Sequence, residues 1–267
     1  MRALFAVCSV VALCACPQKL PDVDAGPTFP PSLKHAHNDY EHTRPLLDAL
    51  DQKFESVEAD IWLDGNGNEI GVSHNGAPFK GTLKGLYLDP IADRVAMNGG
   101  SVYGDGKTFY LWLDIKDGST ILQDLLVTQL SGYAFLTRFD DTGIAQQGAV
   151  TVLLTGDDKA KKALVDRPAP RTYARDSNDY SVNDGPADGK WVSYAVNYFA
   201  VMQWDGTDPI PAAQQKQLEN LVNGAHAKGR SVRIWSNPDS APYWKAAKAA
   251  HVDFINTDKL ADLASSL

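Results

Sequence analysis

The chain has 267 residues, 44% of them hydrophobic and 22% charged, an ordinary globular composition for one large domain or two small ones. Its 25 lysines and arginines face 33 aspartates and glutamates, a formal charge of −8 with no basic run, which argues against a nucleic-acid partner. The 21 glycines and 15 prolines are dispersed, so collagen-like, broadly disordered, coiled-coil and polytopic membrane chains are set aside as well.

The chain opens MRALFAVCSVVALCAC. One charge at Arg2, an apolar run from Ala3 to Leu13 too short to span a bilayer, and small residues at its end predict a signal peptide over residues 1–15. Leu13-Cys14-Ala15-Cys16 resembles a bacterial lipobox with Cys16 as the lipidated residue, although Cys14 stands where a small or β-branched residue is usual. The expected location is therefore outside the cytoplasm. The chain is either a cell-envelope lipoprotein held at the membrane by a lipid on Cys16, or a secreted or periplasmic protein cleaved near Ala15. All three cysteines (Cys8, Cys14, Cys16) fall here, so the body has no disulfide, thiolate metal site or cysteine nucleophile. Residues 16–32, with prolines at 17, 21, 27, 30 and 31, predict an extended linker.

From residue 33 to 267 strand-like and helical patterns alternate. Strands are predicted over 33–37, 55–63, 109–116, 149–155, 171–175, 192–197, 231–236 and 252–256. The clearest helices are 44–52, 119–131, 211–228 and 240–250. Eight strands, mostly with a helix between, are the rhythm of a parallel α/β fold, and a closed (β/α)₈ TIM-type barrel is the economical solution at this length. A doubly wound sheet is the runner-up, without the glycine-rich turn that it often carries.

Some polar residues do not suit their strands. In ESVEADIWL (55–63), Val57, Ala59, Ile61 and Leu63 share one face, and Glu58, Asp60 and Trp62 share the other. Two carboxylates on one inward face repel each other and lose solvation unless a cation lies between them, and their oxygens suit Mg²⁺ or Ca²⁺. The alternative is a solvated strand end or a salt bridge to arginine. FYLWLDIK (109–116) repeats the pattern with Trp112, Asp114 and Lys116 on one face. Adjacent barrel strands bring Asp114 toward Glu58 and Asp60, and an all-carboxylate set favours a hard cation over zinc. Lys116 either binds a phosphate oxygen or pairs with Asp114. His35 and His37 share a face of the first strand, and His74 closes EIGVSH after the turn Asp64-Gly65-Asn66-Gly67. Histidines at strand ends beside carboxylates can move protons near neutrality.

Taken together, His37-Asn38, Glu58-Ala59-Asp60, Asp64-Gly65, His74 and Asp114-Ile115-Lys116 resemble the phospholipase C-like phosphodiesterases, which include glycerophosphodiester phosphodiesterases and sphingomyelinase D-like phospholipases. The opening HAHNDYEHTRPLLDAL…VEADIWL is particularly similar to a branch that includes a fungal mitochondrial-inheritance protein family. VRIWSNPD…AHVDFINTDKLADL resembles the end of the glycerophosphodiesterase barrel. The resemblance spans about residues 33–264. It implies a (β/α)₈ barrel with the site at the strand carboxyl ends and a phosphodiester or phospholipid substrate. It further implies Glu58, Asp60 and Asp114 on a divalent cation, His37 and His74 as the acid/base pair, and Lys116, Asn38 and Trp235 toward substrate. The chain departs from typical glycerophosphodiesterases where His37 is followed by Asn38 rather than arginine, and it lacks their Glu-Asn-Thr. Arg44 and Arg175 are the candidates for the missing arginine's phosphate contact.

Two competing classes remain at this level. A non-catalytic exported lipoprotein could bind a phosphorylated ligand on the same barrel, although binding alone does not call for two histidines. A sugar hydrolase would use two carboxylates without metal, with Trp191, Tyr194, Trp204 and Trp235 as exposed aromatics. Residues 98–106 and 176–189 are expected to rim the site.

Overall fold

The computed structural model describes residues 32–267. The signal peptide, Cys16 and all but the last residue of the linker therefore lie outside the described residues. Eight parallel strands close into a barrel: β1 (Leu33–Ala36), β2 (Ser56–Leu63), β3 (Phe109–Ile115), β4 (Val150–Gly156), β5 (Tyr173–Ser177), β6 (Trp191–Asn197), β7 (Ser231–Trp235) and β8 (Phe254–Thr257). Each pairs with its neighbour in sequence, and β8 returns to β1 with Leu33 beside Phe254 and His35 beside Asn256. All eight predicted strands are present. The fifth begins at Tyr173 rather than 171, because Arg171 exchanges backbone hydrogen bonds with Phe139 before the strand starts.

The helices are α1 (Leu47–Asp51), α2 (Asp89–Met97), α3 (Thr120–Ser131), α4 (Asp158–Val165), α5 (Tyr198–Val201), α6 (Ala212–His226), α7 (Ala241–Ala249) and α8 (Leu260–Ser266). Ser119, Asp157 and Ser240 cap α3, α4 and α7, each side chain accepting a backbone N–H of the first turn. No helix joins β5 to β6. There, segment 178–190 is held by Arg230, which lies 3.6 Å over the Trp191 ring and donates to the carbonyls of Gly185 and Pro186.

The apolar residues separate into two clusters. The larger lies between the outward strand faces (Val57, Ala59, Ile61, Leu111, Leu113) and helix residues such as Leu122 and Leu126. The smaller fills the barrel itself with Leu33, Trp112, Phe139, Leu153, Ala174, Ala195 and Phe254. Phe254 meets Trp112 and Tyr110 edge to face at 5.2 and 5.0 Å. The interior below the site is thus filled largely by apolar side chains, with Ser56 and Thr151 as buried polar residues near the amino ends of β2 and β4. Segment 98–106 does not rim that end. Helix α2 has already carried the chain back to the opposite face, where Tyr103 donates to the carbonyl of Phe54 just before β2. Segment 176–189 starts at the carboxyl end but descends, with Ala187 N–H bonded to the carbonyl of Lys228 at the foot of β7.

Candidate active site

The parity of β2 is as the sequence requires. Glu58 and Asp60 point inward and are 1% exposed, while Val57, Ala59 and Ile61 are fully buried on the helix side. In the β2–β3 register Asp60 is level with Asp114. One oxygen each from Glu58, Asp60 and Asp114 lies within 4.8 Å of the others. Glu58 Oε2 and Asp114 Oδ1 are buried without a hydrogen-bond donor, and Asp60 Oδ2 has only the ion-pair contacts of Lys116 and His74 at 3.2 and 3.3 Å. Gly156, at the end of β4 with φ +85°, leaves open the space beside Asp114, where a Cβ would lie 2.1 Å from Oδ1. Three hard donors, buried undonated oxygens on Glu58 and Asp114, and a glycine-lined recess fit a Mg²⁺- or Ca²⁺-type cation.

Without a cation the electrostatics are divided. Burial, together with the nearby charges of Asp114 and Glu58, pushes Asp60 up to about 6. Burial and the Glu58 charge also raise Asp114. Burial works in the same sense on Glu58, but Arg233, His37 and His35 outweigh it and hold Glu58 well below the usual carboxylate range. Lys116 Nζ is 2.7 Å from Asp114 and 3.2 Å from Asp60 Oδ2, so both sequence alternatives place it at the cluster.

His37 and His74 flank the carboxylates. His37 Nε2 is 3.6 Å from Glu58 Oε2, and its Nδ1 is 2.7 Å from Asp258 Oδ1, just past β8. Burial alone would lower the His37 pKa, but the carboxylates of Glu58 and Asp258 reverse that and raise it. His74 is carried by the strand Ile70–Val72, which folds back antiparallel on β2, with Ser73 N–H bonded to the Asp60 carbonyl. Its Nδ1 lies 3.3 Å from Asp60 Oδ2 and 3.2 Å from Tyr40 Oη, while that hydroxyl donates to Asn38 Oδ1. Asn38, left-handed at φ 46°, thus orients Tyr40 and, through it, His74. Asp39 ties down the same loop by accepting from Leu46 N and Tyr87 Oη. Asp64 closes its turn by accepting the backbone N–H groups of Asn66, Asn68 and Glu69.

Other expectations are corrected. Arg44 is an exposed residue bound to Asp48 and Asp51, and Arg175 lies 5.1 Å from the Trp191 ring. Neither reaches the cluster. The guanidinium that does is Arg233, 2.8 Å from Glu58 Oε1. Tyr194 and Trp204 are buried, Trp191 lies under Arg230, and Trp235 is half-buried with its indole N–H spent on the Ala195 carbonyl. The exposed aromatic row that a sugar site needs is not there. Asp258 and Arg233 were missed because their partners, His37 and Glu58, are 221 and 175 positions away. The sequence signals for them are the inward parity of Arg233 in β7 and the place of both residues in the stretch that resembles the end of the glycerophosphodiesterase barrel.

A parallel barrel with a carboxylate trio between two histidines at its carboxyl face defines the class of barrel phosphodiesterases. The sequence model for the AIM6-like phosphodiesterase domain matches residues 27–174, more than half of the chain, and the chain belongs to that family. It is 27% identical over 280 residues to Altered inheritance of mitochondria protein 6 of Lachancea thermotolerans, covering 86% of this chain and 64% of that protein. It is also 27% identical over 276 residues to the protein of that name from Saccharomyces cerevisiae strain S288c, covering 89% and 68%. The chain thus spans about two thirds of the length of these relatives. Among solved structures, a glycerophosphodiester phosphodiesterase from Parabacteroides distasonis shares the fold, with a TM-score of 0.51, 12% identity, and 88% and 96% of the two chains covered.

Proposed function

We propose that this chain hydrolyses a phosphodiester of the glycerophosphodiester or phospholipid type with a divalent cation bound to Glu58, Asp60 and Asp114. The supporting observation is the meeting of one oxygen each from Glu58, Asp60 and Asp114 within 4.8 Å, between two histidines held on opposite sides, one by Asp258 and one by Tyr40. When bound, Mg²⁺ or Ca²⁺ supplies Lewis-acid stabilisation of phosphate charge. The protein's residues do the rest. Lys116 sets a positive charge at the phosphate. With Nδ1 of each ring engaged, His37 and His74 present Nε2 to the substrate. One ring takes the proton of the attacking hydroxyl or water as the new P–O bond forms, and the other protonates the leaving alcohol as the old bond breaks. Asn38 acts by orienting Tyr40, and Trp235 forms the wall beside β7.

A ligand-binding lipoprotein without turnover has no use for the Asp258–His37 pair, which favours the catalytic reading. Export and a lipid on Cys16 belong to the same proposal and rest on the sequence alone; Cys16→Ser should release the chain from membranes to the soluble fraction. The main test is hydrolysis of a chromogenic phosphodiester with Mg²⁺, Ca²⁺ or EDTA, beside Glu58→Ala and His74→Ala. Metal-dependent turnover lost in both variants is expected. Turnover that survives EDTA or either substitution would overturn the assignment.

A further inference from the structure

Two residues at the floor of the site have no part in the proton transfers proposed above, yet they are more deeply buried than the histidines that do. His35, on β1 two positions before His37, is fully buried, and Arg233 on β7 is 3% exposed. Arg233 Nη1 lies 2.9 Å from His35 Nε2 and 2.8 Å from Glu58 Oε1. That nitrogen carries two hydrogens, one for each partner. An arginine N–H only donates, so Nε2 of His35 must be the lone-pair nitrogen and the ring proton sits on Nδ1. Nδ1 is 2.7 Å from Ser56 Oγ, which accepts it. The guanidinium also lies against Trp112, 4.7 Å from the ring centroid. The hydrogen bonds therefore run Ser56–His35–Arg233–Glu58, from β2 through β1 and β7 back to β2. The last link engages Oε1 of Glu58 and leaves Oε2 without a donor.

We propose that His35 and Arg233 are positioning residues for the cation: they fix the rotation of the Glu58 carboxylate so that Oε2 remains available as a ligand. The inference rests on reading Glu58, Asp60 and Asp114 as a cation site. Two plainer roles differ from it in what they require. Offsetting a buried carboxylate needs only a positive charge, which lysine at 233 would supply. Filling the barrel needs only volume. Neither role needs a hydrogen-bond acceptor at 35. Aiming does, because without the acceptor at His35 the second Nη1 hydrogen has no partner and the guanidinium is free to turn. Partners that orient metal ligands typically matter about 10- to 100-fold in metal affinity.

The test is calorimetric titration of the chain with MgCl₂ and with CaCl₂, with circular dichroism as the check on folding. Wild type should bind and Glu58→Ala should not. His35→Ala and Arg233→Lys should each bind about 10- to 100-fold more weakly. His35→Gln, whose Oε1 can accept from Arg233, should stay near wild type. Wild-type affinity in folded His35→Ala and Arg233→Lys would overturn the inference and leave the cation site standing. So would His35→Gln binding as weakly as His35→Ala. If His35→Ala does not fold, weak binding by Arg233→Lys beside near-normal His35→Gln supports the inference, and the reverse pattern overturns it. Wild type that binds neither cation would overturn the cation site itself, and this inference with it.

Discussion

Gly156→Ala tests the carboxylate recess without replacing a ligand. At φ +85° an L-residue costs about 1–2 kcal/mol relative to glycine. The new Cβ would fall 2.1 Å from Asp114 Oδ1 and 2.5 Å from the Ile115 carbonyl oxygen, where real Cβ atoms keep beyond 3.0 Å. The Ile115 oxygen accepts from Asp157 N–H at 2.8 Å in the closed barrel, so Asp114 does most of the yielding, by about 1 Å. Overpacking of this kind costs about 1–3 kcal/mol, for a total of about 2–5 kcal/mol of stability. A ligand displaced that far leaves the roughly 0.2 Å tolerance of a metal site, and cation affinity should fall at least about tenfold. Thermal unfolding and calorimetric titration of the same preparation measure both losses. Gly143→Ala, where nothing lies within 4 Å, is the control and should change neither. A Gly156→Ala protein with wild-type cation affinity and turnover would refute the geometry of the recess.

Three further outcomes are expected. Asp258→Ala should lower kcat about 10- to 100-fold, a share of what general acid–base catalysis contributes, while leaving cation affinity unchanged; a weakened cation would show that Asp258 acts on the metal site instead. Asp39 is raised from 3.8 to about 6, mainly by burial, so the folded state binds its proton more tightly than the unfolded state does. Its carboxylate is therefore unfavourable above pH 6, by about 3 kcal/mol, and that penalty is relieved as pH falls from about 6 to 4. Urea unfolding of wild type and Asp39→Asn across this range should show wild type gaining on the variant toward acid, and a constant difference would contradict the assignment. Finally, cation binding must expel any proton on Asp60, which titrates near 6. Affinity should fall as pH drops below 6, with proton uptake by the buffer visible as a buffer-dependent heat; a pH-independent affinity from 7 to 5 would exclude Asp60 as a ligand.

How far the sequence could be read follows from which interactions are local. Strand parity is local, so Glu58, Asp60, Asp114 and Lys116 could be placed on inward faces, and their meeting followed from adjacency of β2 and β3. Short amphipathic segments were harder. Helix α1 covers only Leu47–Asp51 of the predicted 44–52, since Arg44 and Pro45 belong to the loop that Asp39 fastens. The place of segment 98–106 depended on recognising α2, a nine-residue helix, and so the segment was put at the wrong end of the barrel. The Arg233 and Asp258 contacts depend on barrel closure, and no window of sequence contains both partners. The same holds for His35, whose role differs from that of His37 because Arg233 stands beside it.

The closure of β8 on β1 also bears on how the site comes into being. Every carboxylate of the cluster and both flanking histidines are encoded before residue 117, within the first four-strand half of the barrel. Their partners Arg233 and Asp258 arrive only with the last two strands. The early half therefore carries the reactive side chains and the Tyr40–Asn38 pair that orients His74, but not the partners of Glu58 and His37. A fragment ending near residue 174 would hold the signature residues of its family but not a working centre.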